Sequence, residues 1–542
     1  MALPDYSGEW PPKPWDSAQA AYDLHSAWVQ GDVNVLQSFY SQHLDGMPAT
    51  RPSQWRGGIV GRMARFWWGR PTQQAMKRLH VPAPADVART SADLLFGQPP
   101  QWVLNEGDAA NREAAQDRLN KLLEGADVTA ALLEAAEIQA ALGGVFLRLW
   151  WDTEVTDKVM LSAVGPDCAI PEWRYGRLAA VTFWTIVAED KRGVWRHLER
   201  HEPGRIEHAL YMGDKDRIGR RMPLDEQDAT AWAAELVDEE SSIPTGVQGL
   251  TAAYVPNVRP ARRWRNVPGL MQLGRSDFEG LEPLFDALDE AYSSWMRDLD
   301  LAKARLFVAA NALEQNGPGQ GASWDAEQAI YTPAPSEDFN ENGPSSLVQA
   351  QQFEIRHAEH LATCQSLLNR ILVGAGYSTG DFGDDQLSGA MTATEVSARK
   401  SLSNQTRAKK ILYWQSAVQP LARTMLELDE LVYGGSYGLK ADPEMQFPVR
   451  VDQDPVQTSI EISNLRAAQA ISIASSVRKA NPNLSSDEVD EEVAEIKAEL
   501  KELAPQDPFA DSDFTDTAEP HTDLQQSSPP ARRGGDTLDK AA

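Results

Sequence analysis

One stretch of this chain restricts its fold more than any other. Between positions 281 and 306, apolar or small residues fall at Leu281, Phe285, Leu288, Tyr292, Trp295, Leu299, Ala302 and Leu306, a spacing of 4-3-4-3-4-3-4. That repeat predicts one continuous seam on a helix of roughly 30 residues, about 45 Å long. A second acidic stripe, Glu282, Asp286, Asp289, Ser293 and Asp300, runs one position behind the seam, about 100° round the same helix. It is either a solvated face or, if several copies lined a pore, an acidic wall.

The surroundings of the seam predict the rest of the architecture. Positions 308–352 are rich in Gly, Pro, Asn and Gln, with short strand-like pieces such as 346–353. A second helix is expected from about Ile355 to Leu372, so two long helices bracket a compact insert. The run from Gly374 through Gly376, Gly380 and Asp381 to Asp385 reads as a flexible loop. It ends at a capping box, with Thr392 as N-cap and Glu395 at N3, opening a very long helix to about Leu431. Pro420 inside that helix is expected to kink it near Ser416. A strand at 449–451 and two or three helices over 457–503 follow. The last of these starts with Asp487, Glu488, Asp490, Glu491 and Glu492, which suits the helix dipole. Positions 504–542, Pro-, Asp- and Ser-rich, are expected to be disordered. Long helices with one seam each, and no self-contained bundle to bury them, imply neighbouring chains.

The N-terminal half reads differently. Pro11, Pro12 and Pro14 break any early helix, and helices are expected over 85–96, 111–123 and 128–142. From Val145 the period changes to that of strands, at 145–151 and 181–187, with a hairpin at 195–202 and 205–211 around Pro203-Gly204. Helices first and strands after is an α+β arrangement, not alternating βαβ.

Charge and composition remove several function classes. The 542 residues carry 51 Lys and Arg against 79 Asp and Glu, a net charge of −28, which argues against a global grip on DNA phosphates. Two cysteines, Cys168 and Cys364, make no disulfide framework and no zinc spacing. No apolar run reaches the roughly 20 residues of a membrane span, and no signal peptide is evident. His197-Leu198-Glu199-Arg200-His201 lacks the order of a zincin helix. On a strand the two imidazoles would lie about 13 Å apart, so surface hairpin histidines are the plainer reading. Asp381-Phe382-Gly383 has no accompanying kinase motifs, the Gly-rich loop follows a helix rather than a strand, and no Walker or G-x-S-x-G motif is present. Arg51, Arg56, Arg62, Arg65 and Arg70 interleave with Trp55, Phe66, Trp67 and Trp68, and Arg259, Arg262, Arg263 and Arg265 surround Trp264. Each cluster suits either nucleic-acid stacking or packing on a neighbour, and the negative charge favours packing. No catalytic constellation, cofactor site or metal site emerges.

Three stretches carry a family resemblance over roughly 50–505. Phe66-Trp67-Trp68 precedes His80-Val81-Pro82 and Ser91-Ala92-Asp93-Leu94-Leu95-Phe96. Gly274-Arg275-Ser276-Asp277-Phe278-Glu279-Gly280-Leu281 runs into Leu284-Phe285-Asp286-Ala287-Leu288. Ser388-Gly389-Ala390 joins Thr392-Ala393-Thr394-Glu395-Val396. In this order they resemble phage portal proteins of the SPP1 type. The resemblance implies a mostly helical α+β subunit, not an enzyme and without cofactor, in a ring of usually twelve at one capsid vertex of the virion, assembled in the host cytoplasm. It implies an N-terminal arm (1–50), an α+β wing (51–277), a stem helix (278–307) and a clip (308–353). A returning stem helix (354–373), a tunnel loop (374–391), a long kinked wing helix with a return strand (392–456), crown helices (457–505) and a disordered acidic tail (506–542) complete it. Implied partners are further copies of the chain, the terminase large subunit, a head–tail adaptor or connector, the major capsid protein, a scaffold protein and double-stranded DNA passing without sequence specificity, with no membrane. On this resemblance Glu282, Asp286, Asp289, Gly374, Gly376, Gly380 and Asp381 are expected to face the tunnel. The other readings are a different structural or minor capsid oligomer, and a nucleic-acid-binding protein using 51–70.

Overall fold

The computed structural model describes residues 3–4, 8–33, 35–36, 79–301, 305–308, 314–315, 322–323, 348–351, 356–382, 393–448, 455–481 and 486–503. The Arg/Trp segment 51–70, Ala302, most of the 308–353 insert, Thr392, the 449–451 strand and the tail from 504 lie outside them. The chain divides into two units, Met1–Gln457 and Thr458–Ala542.

The first unit opens with α1 (Trp15–Gln30), which ends at Gly31 in the left-handed region (φ 65°). Helix α2 (Ala83–Phe96) carries Pro84 in its first turn, where a missing N–H is harmless, and buries Val87, Ala88, Leu94, Leu95 and Phe96. Then come β1 (Gln101–Val103), α3 (Arg112–Leu123) and α4 (Ala126–Leu142). Gly143 stops α4 at φ 87°, and a Cβ there would stand 2.8 Å from the Gly274 carbonyl oxygen. Strands β2 (Gly144–Trp150) and β3 (Met160–Val164) follow. A six-stranded antiparallel sheet is built from β4 (Ala169–Arg174), β5 (Arg177–Asp190), β6 (Gly193–Glu202), β7 (Arg205–Asp214) and β8 (Arg217–Met222). After α5 (Asp228–Leu236), β9 (Ser242–Pro244) adds to β7 as its sixth strand. Strand β10 (Ala252–Pro256) pairs with β2, giving a three-stranded sheet in the order β10-β2-β3.

Next come α6 (Glu282–Leu301), β11 (Arg305–Val308), β12 (Glu314–Gln315), β13 (Ala322–Ser323), β14 (Val348–Gln351) and α7 (His357–Ala375). Helix α8 (Ala393–Tyr433) spans 41 residues with Pro420 inside it. Ser416 Oγ donates to the Tyr413 carbonyl (3.0 Å) and Thr424 Oγ1 to the Pro420 carbonyl (3.1 Å), so side chains bond the backbone on both sides of the proline. Strand β15 (Glu444–Gln446) pairs with β1. The main core lies where α3, α4, β2 and β10 meet α8: Leu119, Leu132, Ala135, Val145, Leu147, Leu149, Val255, Trp414, Val418 and Leu426 are all buried. Helix α9 (Pro455–Ala467) straddles the unit boundary. In the second unit α10 (Ile473–Ala480) and α11 (Ser486–Leu503) pack through Val477, Val489 and Val493. Ser472 caps α10, its Oγ accepting from the Ser475 N–H (3.1 Å).

Two expectations about the seam change. Helix α6 has 20 residues, about 30 Å rather than 45 Å. It ends because Arg305–Val308 leaves the helix to pair antiparallel with β14, Leu306 opposite Ala350. The seam also finds cover inside its own chain. Leu281, Phe285 and Leu288 are buried against Cys364, Ile371 and Leu372 of α7 and against Trp28 of α1. Only the far end loses that cover: Tyr292 and Trp295 are partly buried and Leu299 is 37% exposed. Helices α1, α2 and α7 of the same chain cover the first half.

Helices α6 and α7 form an antiparallel hairpin paired along its length. At one end Leu281 lies against Gly374, where a Cβ would come within 2.6 Å of Leu281 Cδ2. Toward the other, the Trp295 ring stacks on His360 (centroids 6.1 Å, 3°), and Asp298 accepts from Arg356 (2.6 Å) and bonds His360 (2.9 Å).

Candidate functional site

A buried polar constellation sits at the root of this hairpin. Asp277 lies just before α6. Its Oδ1 accepts from Asn257 Nδ2 (2.7 Å), and its Oδ2 accepts from Lys410 Nζ (2.6 Å) and Tyr377 Oη (2.7 Å). Lys410 also donates to Ser91 Oγ (2.7 Å) and Tyr377 Oη (2.9 Å), so all three of its N–H groups have acceptors. Lys410 and Tyr377 are each 1% exposed and Asp277 8%. Burial pushes the Lys410 ammonium down, with Asp277 opposing the shift. Burial, then the Asp277 charge, push the Tyr377 phenol well above its ordinary value. Five segments therefore meet at one ion pair: α2, the residue after β10, the turn before α6, the turn after α7, and α8.

Helix α8 reinforces this junction on one face. Ser403, Thr406 and Lys410 follow the 3-4 spacing that places side chains in a row. Thr406 Oγ1 donates to the Gly376 carbonyl (2.7 Å), Ser403 Oγ accepts from the Ser378 N–H (2.8 Å), and Lys410 holds Tyr377 between them. Gly376 closes α7 at φ 92°, with its N–H and that of Tyr377 turned back to the last carbonyls of the helix. Gly374 and Gly376 are thus packing positions, where a flexible tunnel-facing loop was expected. Gly380 has open space around it, and Thr379–Phe382 is a short 3₁₀ turn that contains Asp381.

The acidic stripe also parts company with its expected role. Asp289 is 1% exposed. Its Oδ1 accepts from the Val81 N–H (2.8 Å), and its Oδ2 bonds His80 Nδ1 (3.0 Å). One turn further on, Ser293 Oγ accepts from the Leu79 N–H (2.9 Å). Glu282 Oε1 meets His25 Nε2 at 3.3 Å; burial raises this carboxyl, but the His25 hydrogen bond and charge, together with the backbone N–H groups of Glu282 and Gly280, hold it below its usual range. Asp289 and Glu282 anchor segments 79–81 and α1, because the apolar cover of the seam brings those backbones alongside. Asp286 is half-buried. The face of α6 turned to solvent carries Pro283, Glu290, Ser294 and Arg297.

Elsewhere the histidines of β6 and β7 are not surface residues: His201 is fully buried and His208 is 3% exposed. His197 Nε2 and His208 Nδ1 lie 3.1 Å apart, and His201 bonds Glu199 (2.8 Å) and Thr251 (2.7 Å). No group of three or more potential ligands that could hold a metal occurs among the described residues. Trp264 is 8% exposed with the Arg263 guanidinium 5.0 Å over its ring, so that indole packs inward and offers no open stacking face. No described helix is long and apolar enough to cross a membrane.

The arrangement is one of ties between segments, and among the described residues no nucleophile, base and cavity are brought together. Residues 67–506 match the family "Phage portal protein, SPP1 Gp6-like". The chain belongs to the phage portal protein family. Portal proteins of this family are structural, non-enzymatic components of the virion that associate with copies of themselves in a ring. The mixed helix-and-sheet fold of this portal subunit agrees with the α+β class expected from its sequence. Among solved structures, one similar chain comes from the "Neck of native GTA particle computed with C12 symmetry". It has 12% identity, 83% of this chain and 95% of that chain covered, and a TM-score of 0.34. The family match alone carries the assignment. No curated protein matches the chain.

The junction at the root of the portal hairpin went unseen in the sequence. Asp277 and Ser91 stood inside the stretches that carry the resemblance, but Lys410 and Tyr377 did not. The available signal was a lysine on the same helical face as Ser403 and Thr406, in a helix with a buried tryptophan four residues on.

Proposed function

We propose that twelve copies of this portal protein close into a ring at one capsid vertex, around a passage for double-stranded DNA during packaging and ejection. The α6–α7 hairpin is the stem, and the β11–β14 ribbon with its insert is the clip. The clip docks the terminase large subunit and then a head–tail adaptor, and the wing meets the major capsid and scaffold proteins. The observation that supports this best is the hairpin itself. It is a rod about 30 Å long, paired from Leu281 to Asp298, rooted by a buried ion pair and continued at its far end by a two-stranded ribbon. A rod held at one end can bear axial load from a motor without bending at its base.

On this reading Asp286, Gly380 and Asp381 face the passage, together with the solvent face of α6. Glu290 and Arg297 nearly balance there, so the wall offers few fixed cations to hold phosphates, and DNA slides without sequence being read. Electron microscopy of the purified protein tests it: closed rings with a central hole wide enough for a duplex are expected. A protein that stays monomeric at high concentration, and forms no closed assemblies with capsid components, would overturn it. Deleting residues 312–345 is expected to leave the ring intact and abolish terminase docking.

A further inference from the structure

Two exposed patches, one at a hairpin tip of the six-stranded sheet and one on α5, match each other in charge and shape, and neither is covered by another segment among the described residues. The first is the tip of the β4–β5 hairpin. Arg174 opposes Arg177, so the loop is the two residues Tyr175 and Gly176, both in the left-handed region at φ 51° and 79°. A two-residue hairpin with both φ positive favours Asn-Gly. Here a tyrosine takes the strained position, fully exposed at 102%. Arg174 and Arg177 are exposed beside it, and neither has an ion pair among the described residues. An aromatic ring between two arginines, projected on a strained turn, suits insertion into an acid-rimmed apolar surface.

The second patch has that character. On α5, Trp232 and Leu236 stand four apart on one face and are 50% and 61% exposed. Glu235 and Glu239 beside them are exposed and have no ion pair among the described residues. Asp238 and Glu240, by contrast, are engaged with Ser242 and Arg205. The Trp232 ring lies over His197 and His208, so α5 covers β6 and β7, whereas β4 is an edge strand of the same sheet. The patches are therefore different places on one subunit.

We propose that the Arg174–Arg177 tip of one copy docks on the Trp232/Leu236 face of the next. A contact between two unlike patches is head-to-tail, and repeated it closes a ring when the rotation allows. The inference rests on the ring reading above and names a surface that makes it.

The test measures assembly of the full-length protein by mass photometry. The chain bearing R174E and R177E, and separately the chain bearing E235R and E239R, are each expected to need at least tenfold higher concentration to form rings. Mixed in equal amounts, they should assemble again, because each then meets a patch of opposite charge. Tyr175→Asn, which suits the left-handed turn, should weaken assembly about tenfold without lowering the unfolding temperature. Wild-type rings with all variants assembling equally would overturn the contact and leave the ring reading standing. Two charge variants that stay apart when mixed would also overturn the contact. A wild-type chain that never assembles would overturn both.

Discussion

The six-stranded sheet and the root of the α6–α7 hairpin both bury charge, but they recruit its partners from different distances along the chain. In the sheet, Arg200 is 3% exposed and reaches Glu172 (2.7 Å) and Glu202 (2.8 Å), acids on β4 and on its own strand. Those pairs follow from strand register: once β4, β5 and β6 align, the side chains are neighbours. At the root, Lys410 gathers Ser91, Asp277 and Tyr377, which lie 319, 133 and 33 residues away. No local rule brings these together; α2, α7 and α8 must all have docked first. The sheet can therefore form hairpin by hairpin, whereas the root reports whether the whole subunit is assembled. A hairpin that tilted would break the root before it broke the sheet.

The largest expected effect tests that difference directly. Lys410→Met leaves Asp277 buried without its cation and should destabilise the subunit by about 3–5 kcal/mol in denaturant unfolding. Adding Asp277→Asn should recover part of the loss. Arg200→Met should cost less, because the Glu172 and Glu202 side chains stay 33% and 25% exposed and water can solvate them. Equal losses from Lys410→Met and Arg200→Met would break the comparison.

A second effect belongs to the sheet alone. Burial lowers His208 to about 4, with Glu199 opposing the shift and His197, His201 and Arg148 adding to it, while Trp232 covers the pair. The unfolded chain takes up that proton near pH 6.5, the folded chain only near 4. The unfolded state thus binds more protons in between, and stability present above pH 6.5 is lost as pH falls toward 4, on the order of 3 kcal/mol. His208→Phe should flatten that slope in thermal melts between pH 7 and 4. An unchanged slope would remove His208 as its source.

The smallest effect sharpens the local side of the comparison. Tyr175→Asn relieves a left-handed tyrosine and should raise stability by about 1 kcal/mol in denaturant melts. A loss instead would mean that the exposed ring is held by its own subunit.

Much of the fold was legible because periodicity is local. The helices ending at Phe96 and Leu142, the β6–β7 hairpin around Pro203-Gly204, and the long helix through Pro420 all stand where spacing, glycine and proline put them. The seam from Leu281 to Leu299 was equally legible as a helix face. Its partner was not: a seam reports that something apolar must cover it, and α1, α2 and α7 supplied what a neighbouring copy was expected to supply. Glu282 and Asp289 of the acidic stripe are tied inside the chain for the same reason. One position behind a seam is half-way round toward solvent on an isolated helix, but beside a covered seam Asp289 lies under the 79–81 backbone.

The sequence by itself determined the α+β class and most of the helices and strands after position 83, because each rests on residues within a turn or a hairpin of one another, and it determined the family through the order of short stretches along the chain, although it missed α1 at Trp15–Gln30. Only the tertiary structure decided that Leu306 ends in a strand, that Gly374 and Gly376 pack, and that Lys410 finds Asp277. Those outcomes depend on which surfaces remain uncovered after distant segments dock, and burial of that kind is a property of the assembled chain.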